Sequence, residues 1–92
     1  MKHITISEII NVINSTEKIL INDSQIDENL TEKGLDSMTF IRIIVDLEST
    51  FDCEIPDSKL LLSEMNTVQK IYNVLKEIDD HNNNYTTFAI LG

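Results

Sequence analysis

Few residues in this sequence can turn or cross-link a chain. Two glycines and one proline leave little for tight turns, which disfavours an all-β architecture. The lone cysteine, Cys53, excludes a disulfide framework or a four-ligand zinc site within one chain. There is no tryptophan, and two tyrosines and three phenylalanines point to a mainly aliphatic core. No apolar run approaches the roughly 18–20 residues of a bilayer span, so no membrane insertion is expected. The start, Met1-Lys2-His3-Ile4-Thr5, lacks the apolar stretch of a secretory signal, and a cytoplasmic location is the expectation. Cations are scarce: seven Lys plus Arg stand against 16 Asp plus Glu, a net charge of −9. That balance argues against nucleic-acid binding and favours a basic partner protein.

What is present reads as one small all-α domain. Ninety-two residues make one domain, burying about 60–65% of the chain's exposable surface. Thr5 with Glu8 fits a capping box, and Ile6, Ile9, Ile10 and Ile13 follow helical spacing, predicting a first helix from Thr5 to Leu20. Asn22 to Asn29 is polar and predicts a long loop, with Ile26 and Leu30 pinned to the core. A second helix is expected from Ser37 to Phe51. After Pro56, residues Asp57 to Ser63 have room for a short helical turn or two. Asn66 or Thr67 caps a last helix striped by Val68, Ile71, Tyr72, Leu75 and Ile78. The domain is expected to span residues 1–80. The tail, residues 81–92, begins within a polar hinge at Asp79 to Asn84, and its Tyr85, Phe88, Ile90 and Leu91 fold back onto the domain, dock on a partner enzyme or a second copy, or end the chain in disorder.

The second helix carries two apolar stripes. Phe40, Ile43, Ile44, Leu47 and Phe51 share one side, and Met38, Ile41 and Val45 share another. A helix buried nearly all round is the plain reading, yet in so small a domain some side of each helix must meet water. The second stripe then becomes a docking surface. Beside it lies Gly34-Leu35-Asp36-Ser37-Met38. A serine there is ordinarily a helix cap, and Asp36 or Ser37 can fill that role. Free N–H groups at a helix start also suit an attached phosphate. Cys53 with His3 or His81 is a poor nucleophile and base, since both histidines lie near the chain ends. Asp23 to Glu28 fails as a calcium loop because Glu28 stands where glycine is required. No catalytic residue and no metal site are expected.

The segment Gly34-Leu35-Asp36-Ser37-Met38 is followed at a fixed distance by Phe51-Asp52-Cys53-Glu54-Ile55-Pro56-Asp57 and by Thr67-Val68. Together they resemble the acyl and peptidyl carrier protein family over residues 5 to 78. The resemblance implies a four-helix bundle: three main helices, a short third helix and a long loop between helices one and two. It implies 4′-phosphopantetheine transferred from coenzyme A to Ser37 by a separate phosphopantetheinyl transferase, with Asp36 as the acidic neighbour which that enzyme reads. The chain would then be a monomeric, non-catalytic carrier of acyl or aminoacyl thioesters between a loading enzyme and downstream biosynthetic enzymes. The expected docking face is Met38, Ile41, Arg42, Val45 and Glu48.

Departures from the pattern bear on the pathway. Thr39, Arg42, Ser49 and Thr50 replace acidic positions of fatty-acid carriers, and Glu32-Lys33 replaces the usual Asp-Leu. Arg42 would repel the basic partners of fatty acid synthesis. A specialised polyketide or nonribosomal-peptide pathway is therefore expected. Fatty acid synthesis and D-alanyl transfer are the alternatives, the latter because Leu-Asp-Ser-Met is similar to D-alanyl carriers. A non-carrier interaction module, with Ser37 only a cap, is the rival class.

Overall fold

The computed structural model describes the backbone of residues 2–91 and the side chains of residues 2–80. Thr5 opens α1 (Ile6–Ser15) with extended backbone, its Oγ1 accepting the Glu8 N–H at 3.2 Å. Ile9, Ile10, Val12 and Ile13 are its buried face. The helix stops five residues short of the expected end at Leu20. Ser15 and Thr16 turn their hydroxyls back onto the carbonyls of Val12 and Ile13, at 2.6 and 2.8 Å, and Glu17 enters the left-handed region at φ 63°. Beyond it the burial alternates: Ile19 and Ile21 are buried and Leu20 is 75% exposed, as in extended chain rather than helix. Asn14 clamps this stretch to α1, its Nδ2 donating to the Ile21 carbonyl at 3.0 Å and its Oδ1 accepting the Ile21 N–H at 2.9 Å.

The segment leading to the next helix holds two 3-10 turns, Asp23–Gln25 and Leu30–Lys33, capped by Asn22 and Asn29. It is strapped to the start of the last helix. The Leu30 N–H donates to the Asn66 carbonyl at 2.7 Å, and the Gln69 N–H to the Ile26 carbonyl at 3.0 Å. Leu30 is fully buried and Ile26 half-buried against the core. Gly34 then turns the chain at φ 113°, a conformation that costs a residue with a Cβ, and the Leu35 N–H closes back on the Leu30 carbonyl at 3.0 Å.

The chain enters α2 (Ser37–Phe51), which ends on Asp52 in the left-handed conformation. After Pro56 come two separate 3-10 turns, Asp57–Lys59 and Leu62–Glu64, neither with a side-chain cap. Thr67 caps α3 (Val68–Leu91), its Oγ1 accepting the Lys70 N–H at 3.0 Å. The helix runs through Asp79 and Asp80, where the polar sequence suggests the start of a hinge. The helical backbone continues through Asn84, so the expected hinge is not a break in α3, while the docking of Tyr85, Phe88, Ile90 and Leu91 lies outside the residues whose side chains are described.

Among the described residues the protein is all-helical, with no strand. α1 packs against both α2 and α3. Ile9, Ile13, Leu47, Phe51, Val68, Ile71 and Leu75 meet at the centre, each 1% exposed or less. Burial of each such side chain contributes about 1.5–3 kcal/mol, which is how so short a chain holds α2 in place.

Candidate functional site

Asp36, not Ser37, caps α2. Its backbone is extended, its Oδ1 accepts the Thr39 N–H at 2.8 Å, and its carbonyl accepts the Phe40 N–H at 2.8 Å. Ser37 is thereby released from capping. It occupies the first helical position, exposed, and its hydroxyl makes no hydrogen bond among the described residues. Helix geometry leaves the first N–H groups of α2 without acceptors inside the helix, beside that hydroxyl.

The other oxygen of Asp36, Oδ2, is paired with Lys18 from the chain just beyond α1. Hydrogen bonding from Lys18, and then from the Thr39 amide, holds the Asp36 carboxyl far below the ordinary carboxylate range. Asp36 is therefore favoured as the anion and is a weak proton acceptor. His3 is remote from Ser37. The N–H of Lys2, the neighbour of His3, donates to the Phe51 carbonyl, at the opposite end of α2 and about 21 Å from Ser37 by helical rise. Among the described residues, Ser37 has no histidine beside it and only the Lys18-paired Asp36 as a neighbouring carboxylate.

From Ser37 an open groove of about 500 Å³ runs along α2 towards Glu48. Phe40, Ile41, Ile44 and Val45 form one wall, and Leu60 and Leu62 the other. Sequence reasoning missed the second wall. The run Leu60-Leu61-Leu62 was the available signal, since three successive leucines in irregular chain cannot all face inward. Leu60 and Leu62 are half-buried while Leu61 is 54% exposed.

The expected docking residues share one region of the surface. Met38, Ile41 and Val45 are exposed at 83, 62 and 56%, so the plain reading of α2 as buried all round does not hold. Arg42 is exposed beside them and enters no ion pair among the described residues. Glu48 is half-buried and has a structural task as well, its Oε2 accepting the Ile55 N–H at 2.9 Å. Leu61 and Leu20 add exposed apolar area that the helical pattern does not reveal. Elsewhere, burial and then the Glu48 charge push the Cys53 thiol up, which leaves it a poor nucleophile.

The sequence pattern of the family described as "Phosphopantetheine attachment site" matches residues 5–75. A D-alanyl carrier protein of Lactococcus lactis subsp. cremoris (strain MG1363) is 37% identical over 78 residues, covering 84% of this chain and 95% of the relative. A D-alanyl carrier protein of Streptococcus pyogenes serotype M5 (strain Manfredo) is 36% identical over 70 residues, 73% of this chain and 89% of the relative. No solved structure matches the chain.

Proposed function

Since the chain belongs to the phosphopantetheine-binding carrier proteins, with covalently attached 4′-phosphopantetheine as its prosthetic group, we propose that Ser37 bears that group and that the cargo is D-alanine. The observation that carries the first part is the division of labour at the start of α2. Asp36 does the capping, and the Ser37 hydroxyl stands exposed and unbonded at the end of an apolar groove.

In the attachment step Ser37 Oγ bonds to the pantetheine-bearing phosphorus of coenzyme A. The bond to the other phosphate breaks, adenosine 3′,5′-bisphosphate leaves, and the hydroxyl proton passes to a base of a separate transferase. When bound, the group supplies a thiol at which a thioester is held. Phe40, Ile41, Leu60 and Leu62 offer the arm an apolar surface on which to rest. Asp36, kept ionised, gives the transferase a fixed anion beside its nucleophile. Because the thioester is tethered, each partner enzyme meets it at high effective concentration.

Transferase and loading enzyme would dock on Met38, Ile41, Arg42, Val45 and Leu61, with Glu48 at the margin. Apolar contact supplies the binding and Arg42 the selection against partners built for acidic carriers. The 57–64 segment stands in this reading as the short third helix of a four-helix carrier domain over residues 1–80, working in the cytoplasm. For cargo, the D-alanyl relatives outweigh the polyketide, peptide and fatty-acid settings, since they align over most of their own length.

Intact-mass measurement tests both parts. After incubation with coenzyme A and a broad-specificity transferase, the expected result is a gain of one phosphopantetheine, absent in Ser37→Ala. A gain that survives this substitution overturns the assignment. With ATP and a D-alanine-adenylating ligase, a second, hydroxylamine-labile gain of one alanyl group is expected. Loading by a fatty acyl or malonyl transferring enzyme and not by the D-alanine ligase overturns the cargo.

A further inference from the structure

We propose that Lys18 is the counter-ion of the Ser37 phosphodiester: on modification its ammonium, now on Asp36 alone, bridges the Asp36 carboxylate and the new phosphate. This rests on the reading of Ser37 as the attachment residue and assigns a positioning role to a residue outside α2.

The geometry arises from the early end of α1. The left-handed turn at Glu17, with Thr16 Oγ1 accepting the Lys18 N–H at 3.4 Å, sends Lys18 across to the start of α2, where it meets Asp36 Oδ2. Neither partner is deeply placed, with side chains 46 and 53% exposed, so the pair is easily rearranged. An ammonium has three donors, and Asp36 takes one. Ser37 is the next residue, its Cα about 3.8 Å from that of Asp36, so a phosphate on its Oγ lies within reach of the flexible lysine stem.

Charge makes the arrangement necessary. A phosphodiester on Ser37 sets a second anion next to a carboxylate, in a chain already at −9. Asp36 is held ionised by its capping bond and by Lys18, and so does not relieve the repulsion by taking a proton. Other cations are poorly placed. Lys33 is held by Glu28 at 2.8 Å, Lys59 by Glu77 at 3.1 Å, and Arg42 sits about 7.5 Å further along the helix axis. Lys18 alone among the described ion pairs links the α1 connection to the start of α2.

The test is an apo-to-holo comparison in the wild type, Lys18→Gln, Lys18→Arg and, as a charge control at the far end of α2, Lys2→Gln. Intact mass first establishes modification at Ser37. No gain in the wild type overturns the attachment reading, and this proposal with it. With modification established, attachment should lower Tm at low salt by about 3 °C more in Lys18→Gln than in the wild type, with Lys18→Arg and Lys2→Gln behaving as wild type. The phosphodiester 31P resonance should also differ between holo wild type and holo Lys18→Gln. An equal Tm change and an unmoved resonance would overturn the proposal while leaving Ser37 as the attachment residue. So would a response in Lys2→Gln equal to that in Lys18→Gln. Should the transferase reject Lys18→Gln, the Lys18 Cε and Nζ resonances of the wild type decide instead: they must move between apo and holo forms, and unmoved resonances overturn the assignment.

Discussion

α2 carries two apolar faces that a composition count would not separate. Phe40, Ile43, Ile44, Leu47 and Phe51 are 7% exposed or less, whereas Met38, Ile41 and Val45 are more than half exposed on the same fifteen-residue helix. The inner face is covered because α1 and the rest of the core meet it. The outer face is left in water beside Ser37. The two faces differ in what meets them: one closes the fold within the chain, the other stands open to water among the described residues. In the proposed reading, stability and recognition are carried by residues three or four positions apart.

The sharpest way to break this comparison is at its edge. Ser37→Ala should abolish the phosphopantetheine mass gain completely while leaving Tm within about 2 °C, because an exposed hydroxyl without a hydrogen bond contributes little to folding. On the inner face, Phe51→Ala should cost about 3–5 kcal/mol in urea unfolding, the penalty for a fully buried aromatic and its cavity. A loss below about 1 kcal/mol would show that this face is not the core.

Smaller effects sharpen the boundary. Gly34→Ala should destabilise by roughly 1–2 kcal/mol through backbone strain alone, since a Cβ there would meet nothing within 4 Å while φ stays at +113°. On the outer face, Met38→Ala and Val45→Ala should change stability by less than about 0.5 kcal/mol. They should lower kcat/KM for modification about tenfold each, equivalent to about 1.4 kcal/mol of lost contact. A stability loss with unchanged modification would move these residues to the core.

The smallest expected effect is electrostatic. The Asp36 carboxyl is depressed in the folded protein, first by Lys18 and then by the Thr39 amide. Its contribution is therefore fully present above the ordinary Asp range, near pH 4, and drains away as pH falls below that. Asn also caps helices, so Asp36→Asn isolates the charge. The Tm gap between wild type and Asp36→Asn should be constant from about pH 7 to 5 and close as pH falls towards about 2. Both partners are half exposed, so the gap is modest and shrinks in salt.

Local chemistry makes several features legible in the sequence. Thr5, the turn at Gly34 and Thr67 act on backbone within three or four residues, and each does what its residue type suggests. The bounds of α2 follow from its apolar spacing, and Ser37 stands out because Gly34, Asp36 and the Phe51 to Asp57 segment surround it at fixed distances. Where local signals compete, periodicity misleads. Apolar residues continue to Leu20 at spacing that a helix would tolerate, yet the Ser15 and Thr16 hydroxyls and the clamp of Asn14 on Ile21 end α1 at Ser15.

Sequence alone therefore determined the helical class, the start of each main helix and the serine at the head of α2, because capping and periodicity depend on neighbours along the chain. Only the tertiary structure decided which of two candidates caps α2, which apolar stripe faces water and which leucines wall the groove. It also brought Lys18 to Asp36, a contact spanning 18 positions that no periodicity encodes. The physical reason is that burial and ion pairing depend on what lies across the gap, and packing α1 against α2 and α3 sets that distance.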